Sequence, residues 1–191
     1  MDNVNSIFIS IDGHGGSGKS SLAKKLAESL KAEIIHIDDF TGLGANTDWY
    51  KTLINKVIEP SQSGSKFLSY TRAKWWPEHT PKPVKDQPVT SVMIVEGVCS
   101  SRAELRSYMA FKIFVDTPRS ICIERGIMRD KGMGGKSDEE ILAQWNQWLE
   151  WDDLYFAKDN PKSVADIIVS GTDSYEKSRD AILLKMNHVL K

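Results

Sequence analysis

The sequence has little of several features that mark particular classes of protein. Its two cysteines, Cys99 and Cys122, form neither a CxxC pair nor a metal-ligand spacing, so we expect reduced, buried thiols. Lysine and arginine number 25 against 26 aspartates and glutamates, and a net charge of −1 gives no electrostatic footprint for nucleic acid or an anionic membrane. No apolar run approaches the roughly 20 residues of a membrane-spanning helix, and no secretory signal is visible. These absences predict a cytoplasmic protein that binds neither nucleic acid nor membrane.

What the sequence does contain is the composition and patterning of a folded α/β domain. Hydrophobic residues make up 40% and charged residues 27%, an ordinary balance that argues against disorder. Short apolar runs predict buried strands at 6–12, 33–37, 92–95, 112–115 and 166–169. Helical periodicity predicts helices at 20–30, 48–58, 101–109, 119–128, 137–151 and 173–190. This alternation predicts a single domain over residues 1–191, with a doubly wound parallel five-stranded sheet and helices on both faces.

The least regular stretch lies at about 60–90. Prolines interrupt it at positions 77, 81, 83 and 88, so we expect an ordered excursion from the core without a regular strand or helix. Its aromatic side chains Tyr70, Trp75 and Trp76 have two possible roles. They could stack on the base of a bound substrate, or they could form the core of a small subdomain. The sequence leaves both roles open.

The strongest chemical signal is a glycine-rich loop between the first strand and the first helix. Residues 13–20 match the pattern GxxxxGK[ST] in full. Glycines let successive backbone N–H groups turn toward phosphate oxygens, and the helix N-terminus adds partial positive charge. We predict a phosphate-binding loop in which Lys19 contacts the β- and γ-phosphates of a nucleotide and the Ser20 hydroxyl binds Mg²⁺. Its residues are Gly13, His14, Gly15, Gly16, Ser17, Gly18, Lys19, Ser20 and Ser21.

Acidic residues stand at the ends of two predicted strands. Asp38 and Asp39 end the second strand, and Glu96 ends the third. In open α/β sheets the carboxyl ends of the strands face the ligand crevice, where a carboxylate can orient Mg²⁺ or accept a proton from an attacking hydroxyl. We expect Asp38 and Glu96 to act in this way. For Asp39 we expect a structural role, either capping a turn or pairing with a surface lysine.

Two arginines and a glycine-rich turn follow the fourth strand. Arg125 and Arg129 are four residues apart and share one face of the predicted helix. Glycines at 132, 134 and 135 then predict a flexible turn before Ser137. Phosphoryl transfer requires cations that close over the developing charge, and arginines on a mobile lid at about 125–137 would meet that requirement. The alternative is a solvated basic helix end that interacts with the helix dipole.

The helix predicted at 137–151 has a clear beginning and a clear apolar face. Ser137 and Glu140 match a capping box at its first turn. The apolar residues at helical spacing predict packing in the core and no cofactor-binding role; they are Ile141, Leu142, Trp145, Trp148 and Leu149.

Together these residues make the chain resemble the uridine kinase family of P-loop kinases. The resemblance runs from Ile7 to about Gly171. It includes the phosphate loop, Asp38-Asp39-Phe40 in place of the family's Asp-Ser-Phe, and Val95-Glu96-Gly97 in place of its apolar-Glu-Gly. The segments 112–117, 125–130 and 165–169 also match. The resemblance implies a P-loop NTPase fold with a small arginine-bearing lid.

The resemblance also implies a role for each matching residue. In such kinases the aspartate matching Asp38 is the base for the acceptor hydroxyl, and the glutamate matching Glu96 joins the phosphate-loop serine around Mg²⁺. The arginines matching Arg125 and Arg129 belong to the lid, which favours the lid interpretation. The implied activity is transfer of the γ-phosphoryl group of ATP, with Mg²⁺, to a hydroxyl of a small acceptor, with uridine or cytidine as the leading acceptors.

The departures from the family concern this acceptor. Family members with nucleoside activity usually carry Asp-Ser-Phe-Tyr, whereas Thr41 and Gly42 follow Phe40 here. Tyr70 and His79 nevertheless fall in the region that normally holds the nucleoside. We expect the acceptor site to include Asp38, Phe40, Tyr70, Trp75 and His79. Another small alcohol, such as a sugar or a pantothenate-like molecule, is the close alternative, and a regulatory protein that hydrolyses ATP slowly is a further one. Nothing in the sequence indicates an oligomeric state.

Overall fold

The apolar runs pair into a parallel sheet at the centre of the fold. The computed structural model describes residues 6–42, 48–74 and 80–189. Its strands in chain order are β1 (Ile7–Asp12), β2 (Glu33–His36), β3 (Phe67–Thr71), β4 (Pro83–Pro88), β5 (Val92–Glu96), β6 (Met109–Asp116) and β7 (Ile167–Ser170). Five of them form one parallel sheet in the order β2-β5-β1-β6-β7, which confirms the predicted sheet. Because β1 is central, the loop that follows it lies between the ends of β5 and β6.

Helices cover both faces of the sheet, as predicted. They are α1 (Lys19–Leu30), α2 (Asp38–Thr41), α3 (Trp49–Leu53), α4 (Glu59–Gln62), α5 (Arg119–Met133), α6 (Asp138–Asp159) and α7 (Tyr175–Met186). Successive residues of β1 point to opposite faces: Phe8 packs in one hydrophobic cluster with Leu53, and Ile9 packs in a second cluster with Leu26 and Ile182. No helix in the described part of the chain is long and apolar enough to cross a membrane.

One helix prediction fails, and another helix is longer than predicted. The helix predicted at 101–109 is wrong, because Ala103–Tyr108 forms a 3-10 helix and Met109 already belongs to β6. Only Leu105 of that 3-10 helix is buried, so no continuous apolar face stabilises an α-helix there. In contrast, α5 continues past position 128 to Met133. The turn predicted from three glycines therefore begins after position 133.

Helix α6 begins as predicted but is longer and has a narrower buried face. The capping box between Ser137 and Glu140 is present, and the helix continues past position 151 to Asp159. Trp145 is buried together with Ile141 and Leu149, four residues away on either side. The expectation for Leu142 is wrong, since this side chain is 50% exposed. Every fourth residue is buried in the first turns of α6, and Tyr155 and Asp159 are buried further along the helix.

The segment from 60 to 90 contains regular elements, contrary to prediction. The helix predicted at 48–58 continues through a π-helical turn at Ile54–Ile58 into α4, and β3 pairs antiparallel with β4. Pro83 and Pro88 are the first and last residues of β4, on the edge of a two-stranded hairpin where a missing N–H is tolerated. Trp75, Trp76 and His79 lie outside the described residues, so the acceptor roles expected of Trp75 and His79 stay predictions.

Candidate active site

The loop after β1 requires glycine because its neighbours leave no room for a side chain. Gly16 and Gly18 have φ values of 78° and 101°, a region that side chains disfavour. A Cβ at Gly16 would lie 2.1 Å from the carbonyl oxygen of Cys122 in α5. Cys122 is a buried free thiol, as predicted, whereas Cys99 is free but only partly buried. The loop is thus held tightly against α5 where it turns into α1.

Two features of this loop fit an anionic ligand. Helix α1 has twelve residues and begins without a side-chain cap on its first N–H groups, which leaves its N-terminus available to negative charge. The Ser17 hydroxyl is buried and has no hydrogen-bond partner among the described residues. Because buried polar groups are normally paired, both features are consistent with phosphate oxygens binding at this loop.

Lys19 places a positive charge inside the loop. Its side chain is buried, and Nζ donates to the carbonyl oxygens of Gly13 at 2.9 Å and His14 at 2.7 Å. An ammonium group is a compact charge on a flexible stem, so it can exchange these carbonyls for phosphate oxygens. The carboxyl groups of Asp38 and Glu96 both lie within the electrostatic influence of this ammonium group.

Glu96 connects the loop to the neighbouring strand β2. Ser20 Oγ lies 3.2 Å from both carboxylate oxygens of Glu96 and donates to them. His36, the last residue of β2, places Nδ1 2.5 Å from Glu96 Oε1. Burial by itself would raise the pKa of Glu96, but the hydrogen bond and charge of His36, with the charge of Lys19, lower it below the usual value. The carboxylate is therefore ionised at neutral pH.

Ser20 and Glu96 form a donor set that suits Mg²⁺. Hydroxyl and carboxylate oxygens are the hard ligands this ion prefers. The described ranges contain no group of three or more His, Cys, Asp or Glu that could hold a metal ion. The protein thus offers few ligands, which is the usual arrangement when substrate phosphates complete the coordination of Mg²⁺.

Asp38 lies beside these groups, but not at the end of a strand as expected. Strand β2 ends at His36, and Asp38 is the first residue of the short helix α2. The residue is partly open to solvent at the carboxyl edge of the sheet, while the protein surrounds its carboxyl group on the other sides. Desolvation by the surrounding protein raises the pKa of Asp38, and the nearby charge of Glu96 raises it further, against the opposing charges of Lys19, His36 and Arg129. A carboxyl group with a raised pKa is a stronger base than an ordinary aspartate.

Asp39 has the structural role expected of it, although its partner is an arginine. Its Oδ1 lies 2.9 Å from Arg72 Nε, and its Oδ2 accepts a hydrogen bond from Tyr70 Oη at 3.1 Å. The ring of Tyr70 stacks on Phe40 with 4.9 Å between centroids, and both rings are buried. This packing favours the second role left open for Tyr70, the core of the excursion, and places Phe40 in the same cluster.

The two predicted lid arginines lie one helical turn apart on α5. Arg125 Nη1 donates to the carbonyl oxygen of Gly171 at 2.9 Å, in the loop after β7. Arg129 is 59% exposed and pairs with Asp130 at 2.8 Å, and its charge acts on Asp38. Because α5 continues to Met133, neither arginine ends the helix, which weakens the alternative of an interaction with the helix dipole.

Asp12 is a site residue that the sequence reasoning missed. It is completely buried, its Oδ1 accepts from the N–H of Gly13 at 2.7 Å, and its Oδ2 accepts from Tyr155 Oη at 2.7 Å. Desolvation raises the pKa of Asp12 in spite of these hydrogen bonds. Its position directly before Gly13 was the available signal. Tyr155 lies 143 residues away, and no local pattern indicates it.

Two further contacts hold the phosphate loop from distant parts of the chain. Asp152 of α6 accepts a hydrogen bond from the N–H of Gly15 at 3.2 Å. Thr117, just after β6, donates to the carbonyl oxygen of Ser17 at 2.9 Å. These partners are 137 and 100 residues from the loop, so a search for local motifs could not have found them.

The parallel sheet, the glycine-rich loop after its central strand and the helices on both faces define the fold of the P-loop kinases. Residues 36–174, most of the chain, match the model of the Phosphoribulokinase / Uridine kinase family. The chain therefore belongs to the Phosphoribulokinase / Uridine kinase family. This finding confirms the resemblance seen in the sequence, and family membership supports an ATP-dependent small-molecule kinase.

Individual relatives agree with this assignment. A protein from Escherichia fergusonii named uridine kinase is 31% identical over 85% of this chain and 86% of the relative. A uridine kinase from Klebsiella pneumoniae is 27% identical with the same coverage. Among solved structures, a possible uridine kinase from Bacillus stearothermophilus has a TM-score of 0.58 at 19% identity and covers 88% of this chain and 90% of that chain. At this identity the structural likeness shows the fold alone.

Proposed function

We propose that the protein is an ATP- and Mg²⁺-dependent kinase for a hydroxyl group of a small acceptor, with uridine or cytidine as the leading acceptors. The observation that carries the proposal is the position of Asp38. It is the first residue of α2, two residues after His36, whose Nδ1 lies 2.5 Å from Glu96 Oε1. The pKa of Asp38, raised by desolvation and by the charge of Glu96 against the opposing charges of Lys19 and Arg129, is consistent with that position. Activation of an acceptor hydroxyl requires a base at such a place, whereas ATP binding alone does not.

In this proposal the glycine-rich loop binds the phosphates. The N–H groups of Gly16 and of residues 18–21, with the Ser17 hydroxyl, donate to phosphate oxygens, and Lys19 exchanges its carbonyl contacts for the β- and γ-phosphates. Ser20 and Glu96 would hold Mg²⁺, which supplies charge neutralisation to the phosphates when it is bound. Asp152 and Thr117 keep the loop in its tight conformation through their hydrogen bonds to Gly15 and Ser17.

Asp38 and the arginines act on the transfer itself. The acceptor hydroxyl gives its proton to the Asp38 carboxylate while its oxygen forms a bond to the γ-phosphorus. The bond between that phosphorus and the bridging oxygen of ADP breaks in the same displacement. Arg125 and Arg129 offset the negative charge that spreads over the transferred group. The proton then leaves Asp38 for solvent, and the site is ready for another cycle.

A cavity beside the loop has room for the base of the nucleotide. It is an open cleft of about 600 Å³ at the carboxyl ends of β6 and β7, with Thr117, Arg119, Ile168 and Thr172 among its walls. Thr117 also donates to Ser17 of the phosphate loop. Thr117 therefore both lines this cleft and supports the phosphate loop, and in the proposal the base lies at this end and the acceptor at the Asp38 end.

The choice of acceptor rests on the relatives named uridine kinase. A nucleoside offers hydroxyl groups next to a flat ring, and a P-loop kinase requires only that one of these hydroxyls meets Asp38 and the γ-phosphate. Sugars and pantothenate-like alcohols could present a hydroxyl in the same way. A panel of nucleosides, sugars and pantothenate, each tested for acceptor-dependent release of ADP from Mg·ATP, distinguishes these acceptors.

The proposal is tested with Asp38→Asn in the same assay. We expect the variant to bind ATP as tightly as the wild type in calorimetry and to lose about 10²–10⁴-fold in the acceptor-stimulated rate, the usual value of general-base help. Asp39→Asn is the matched control, because Asp39 pairs with Arg72 and Tyr70. It should lose far less.

Three results would contradict the proposal or its assignment of residues. If no acceptor in the panel stimulates ADP release by the wild-type protein, the protein is a slow ATPase or a regulatory nucleotide-binding protein. If Asp38→Asn retains the full acceptor-stimulated rate, the base lies elsewhere. Loss of activity in Asp39→Asn alone would exchange the roles of the two aspartates.

A further inference from the structure

Trp145 is the most deeply buried large side chain of α6, and it is seated against α5. It is 2% exposed. A Cβ built on Gly126 of α5 would lie 2.0 Å from the indole ring, so only glycine permits this contact. Gly126 directly follows Arg125 and precedes Arg129 by three positions. The ring therefore packs on α5 between the two arginines of the candidate site.

The polar edge of the same ring contacts an acidic residue. Trp145 Nε1 donates to Asp130 Oδ2 at 2.7 Å, and Asp130 Oδ1 accepts from Arg129 Nε at 2.8 Å. Asp130 is 16% exposed, against 59% for Arg129. A buried indole thus fixes one oxygen of a largely buried carboxylate, and the other oxygen of that carboxylate binds the arginine. Ordering an exposed arginine costs side-chain entropy, and the hydrogen bond to the fixed carboxylate offsets that cost.

The opposite edge of the ring faces the phosphate loop. A Cβ built on Gly15 would lie 3.4 Å from two ring carbons of Trp145, so the ring lies directly beside the loop at this residue. The guanidinium carbon of Arg129 lies 5.9 Å from the ring centroid. One rigid aromatic ring therefore spans the distance between the phosphate loop and the arginine whose charge acts on Asp38.

We propose that Trp145 is a positioning residue for phosphoryl transfer, which fixes Asp130 through its indole N–H and thereby holds the guanidinium group of Arg129 over the acceptor side of the phosphate loop. This inference rests on the proposed function. It gives the buried indole a role in orientation as well as in packing. An exposed arginine stabilises the transition state most when it is already oriented before the reaction. Loss of the indole N–H therefore lowers the rate of transfer more than it weakens ATP binding.

The first test is Trp145→Phe, which keeps an aromatic ring and removes the N–H donor. We expect kcat to fall about tenfold, the equivalent of one hydrogen bond to a charged group, with the KM for ATP nearly unchanged. Trp151→Phe on the same helix is the matched control, because Trp151 is 46% exposed. It should keep the wild-type kcat. Thermal unfolding of both variants separates lost packing from lost orientation.

The second test asks whether Trp145 acts through Arg129. Asp130→Asn should lower kcat by a similar factor, because an amide presents N–H groups to the guanidinium in place of one carboxylate oxygen. In an Arg129→Ala background, Trp145→Phe should lower kcat no further, since the group to be positioned is absent. The indole N–H resonances of the six tryptophans provide a readout without turnover. One resonance should disappear in Trp145→Phe, and the same resonance should shift in Asp130→Asn.

Each contrary outcome has a definite meaning. If Trp145→Phe keeps the wild-type kcat, or lowers it by the same factor with and without Arg129, the positioning role is wrong. The proposal would also be overturned if the Trp145 indole resonance had the same chemical shift in Asp130→Asn as in the wild type. If the wild-type protein shows no acceptor-stimulated turnover, the proposed function fails and this inference with it. If the wild-type protein shows acceptor-stimulated turnover and Trp145→Phe has the same kcat, this inference is wrong and the proposed function still stands.

Discussion

The phosphate end and the acceptor end of the site are held by different kinds of contact. At the phosphate end, Ser17 bonds to Thr117 and Gly15 to Asp152 through hydrogen bonds that join distant parts of the chain. At the acceptor end, Asp39 pairs with Arg72, which is 49% exposed, and the rings of Phe40 and Tyr70 stack beneath this pair. The first end is therefore fixed by the fold as a whole, and the second by a short hairpin and a four-residue helix.

This difference explains how one fold can serve different acceptors. Phosphate recognition uses backbone groups whose positions depend on the core, so it tolerates little change. Acceptor recognition uses side chains on connecting segments, which vary without disturbing the core. The contrast can be tested by breaking one end at a time and asking which ligand is affected.

The largest effect is expected for Lys19→Ala at the phosphate end. Its ammonium group lies inside the loop on two carbonyl oxygens, and its loss removes a charge at the position where the transferred group becomes more negative. We expect the acceptor-stimulated rate to fall by about 10³-fold. Lys24→Ala, an exposed lysine of the same helix, is the control and should keep the wild-type rate. If Lys19→Ala retained more than a tenth of the wild-type rate, the assignment of this loop to phosphate binding would be wrong.

A smaller effect is expected for Arg72→Ala at the acceptor end. Arg72 holds Asp39 in an exposed ion pair, and such pairs are worth about 0.2–1 kcal/mol. We expect the KM for the acceptor to rise by no more than about fivefold while the KM for ATP stays unchanged. Steady-state kinetics with each substrate varied in turn measures both values. Lys85→Ala, on an exposed position of β4, is the control. A change confined to the KM for ATP would show that the two ends are not separate.

The smallest effect is expected for Glu104→Gln, in the 3-10 helix that precedes β6. Arg102 lies between its partner Glu104 and the rings of Trp49 and Tyr50. The hydrogen bond from Arg102 lowers the pKa of Glu104 from 4.5 to about 2. A carboxyl group whose pKa falls on folding stabilises the protein above its unfolded pKa, and that contribution is lost as the pH falls through the folded pKa.

Glu104→Gln should therefore lower the free energy of unfolding at neutral pH by less than about 1 kcal/mol, because the pair is partly exposed. The difference from wild type should shrink below about pH 4.5 and vanish near pH 2. Urea unfolding between pH 3 and pH 7 measures this trend. Glu150→Gln, an exposed residue of α6, is the control. A difference that grows as the pH falls would contradict the assignment.

Local sequence patterns predict one part of the structure. Residues 13–20 could be assigned from their spacing, and the five strands could be placed from their apolar runs. The hairpin of β3 and β4 could not, because the prolines that indicate irregular structure occupy both ends of β4. Asp38 was expected at a strand end because a four-residue helix such as α2 is too short to show periodicity.

The least predictable features are contacts between distant residues. Asp152 and Tyr155 have no motif around them, and only the packing of α6 on the loop shows their hydrogen bonds to Gly15 and Asp12. Trp145 could be assigned to the core from its spacing, but its indole N–H could not be connected to Asp130 until α5 and α6 were placed side by side. Residue spacing predicts which face of a helix is buried and does not predict its partners.

The hydrogen bonds between Asp12 and Tyr155 and between Gly15 and Asp152 also have a consequence for biosynthesis. After a ribosome has made β1 and the glycine-rich loop, more than 130 further residues must be added before α6 can supply these partners. Until then Asp12 has no tyrosine partner, and the central strand β1 lacks β6 as its neighbour for most of that time. Long sequence separation between contacts slows folding and exposes unpaired strands to association. The phosphate loop is thus made early and completed late, and a nascent chain halted before α6 carries this loop, with Asp12 before it, without the contacts to Asp152 and Tyr155.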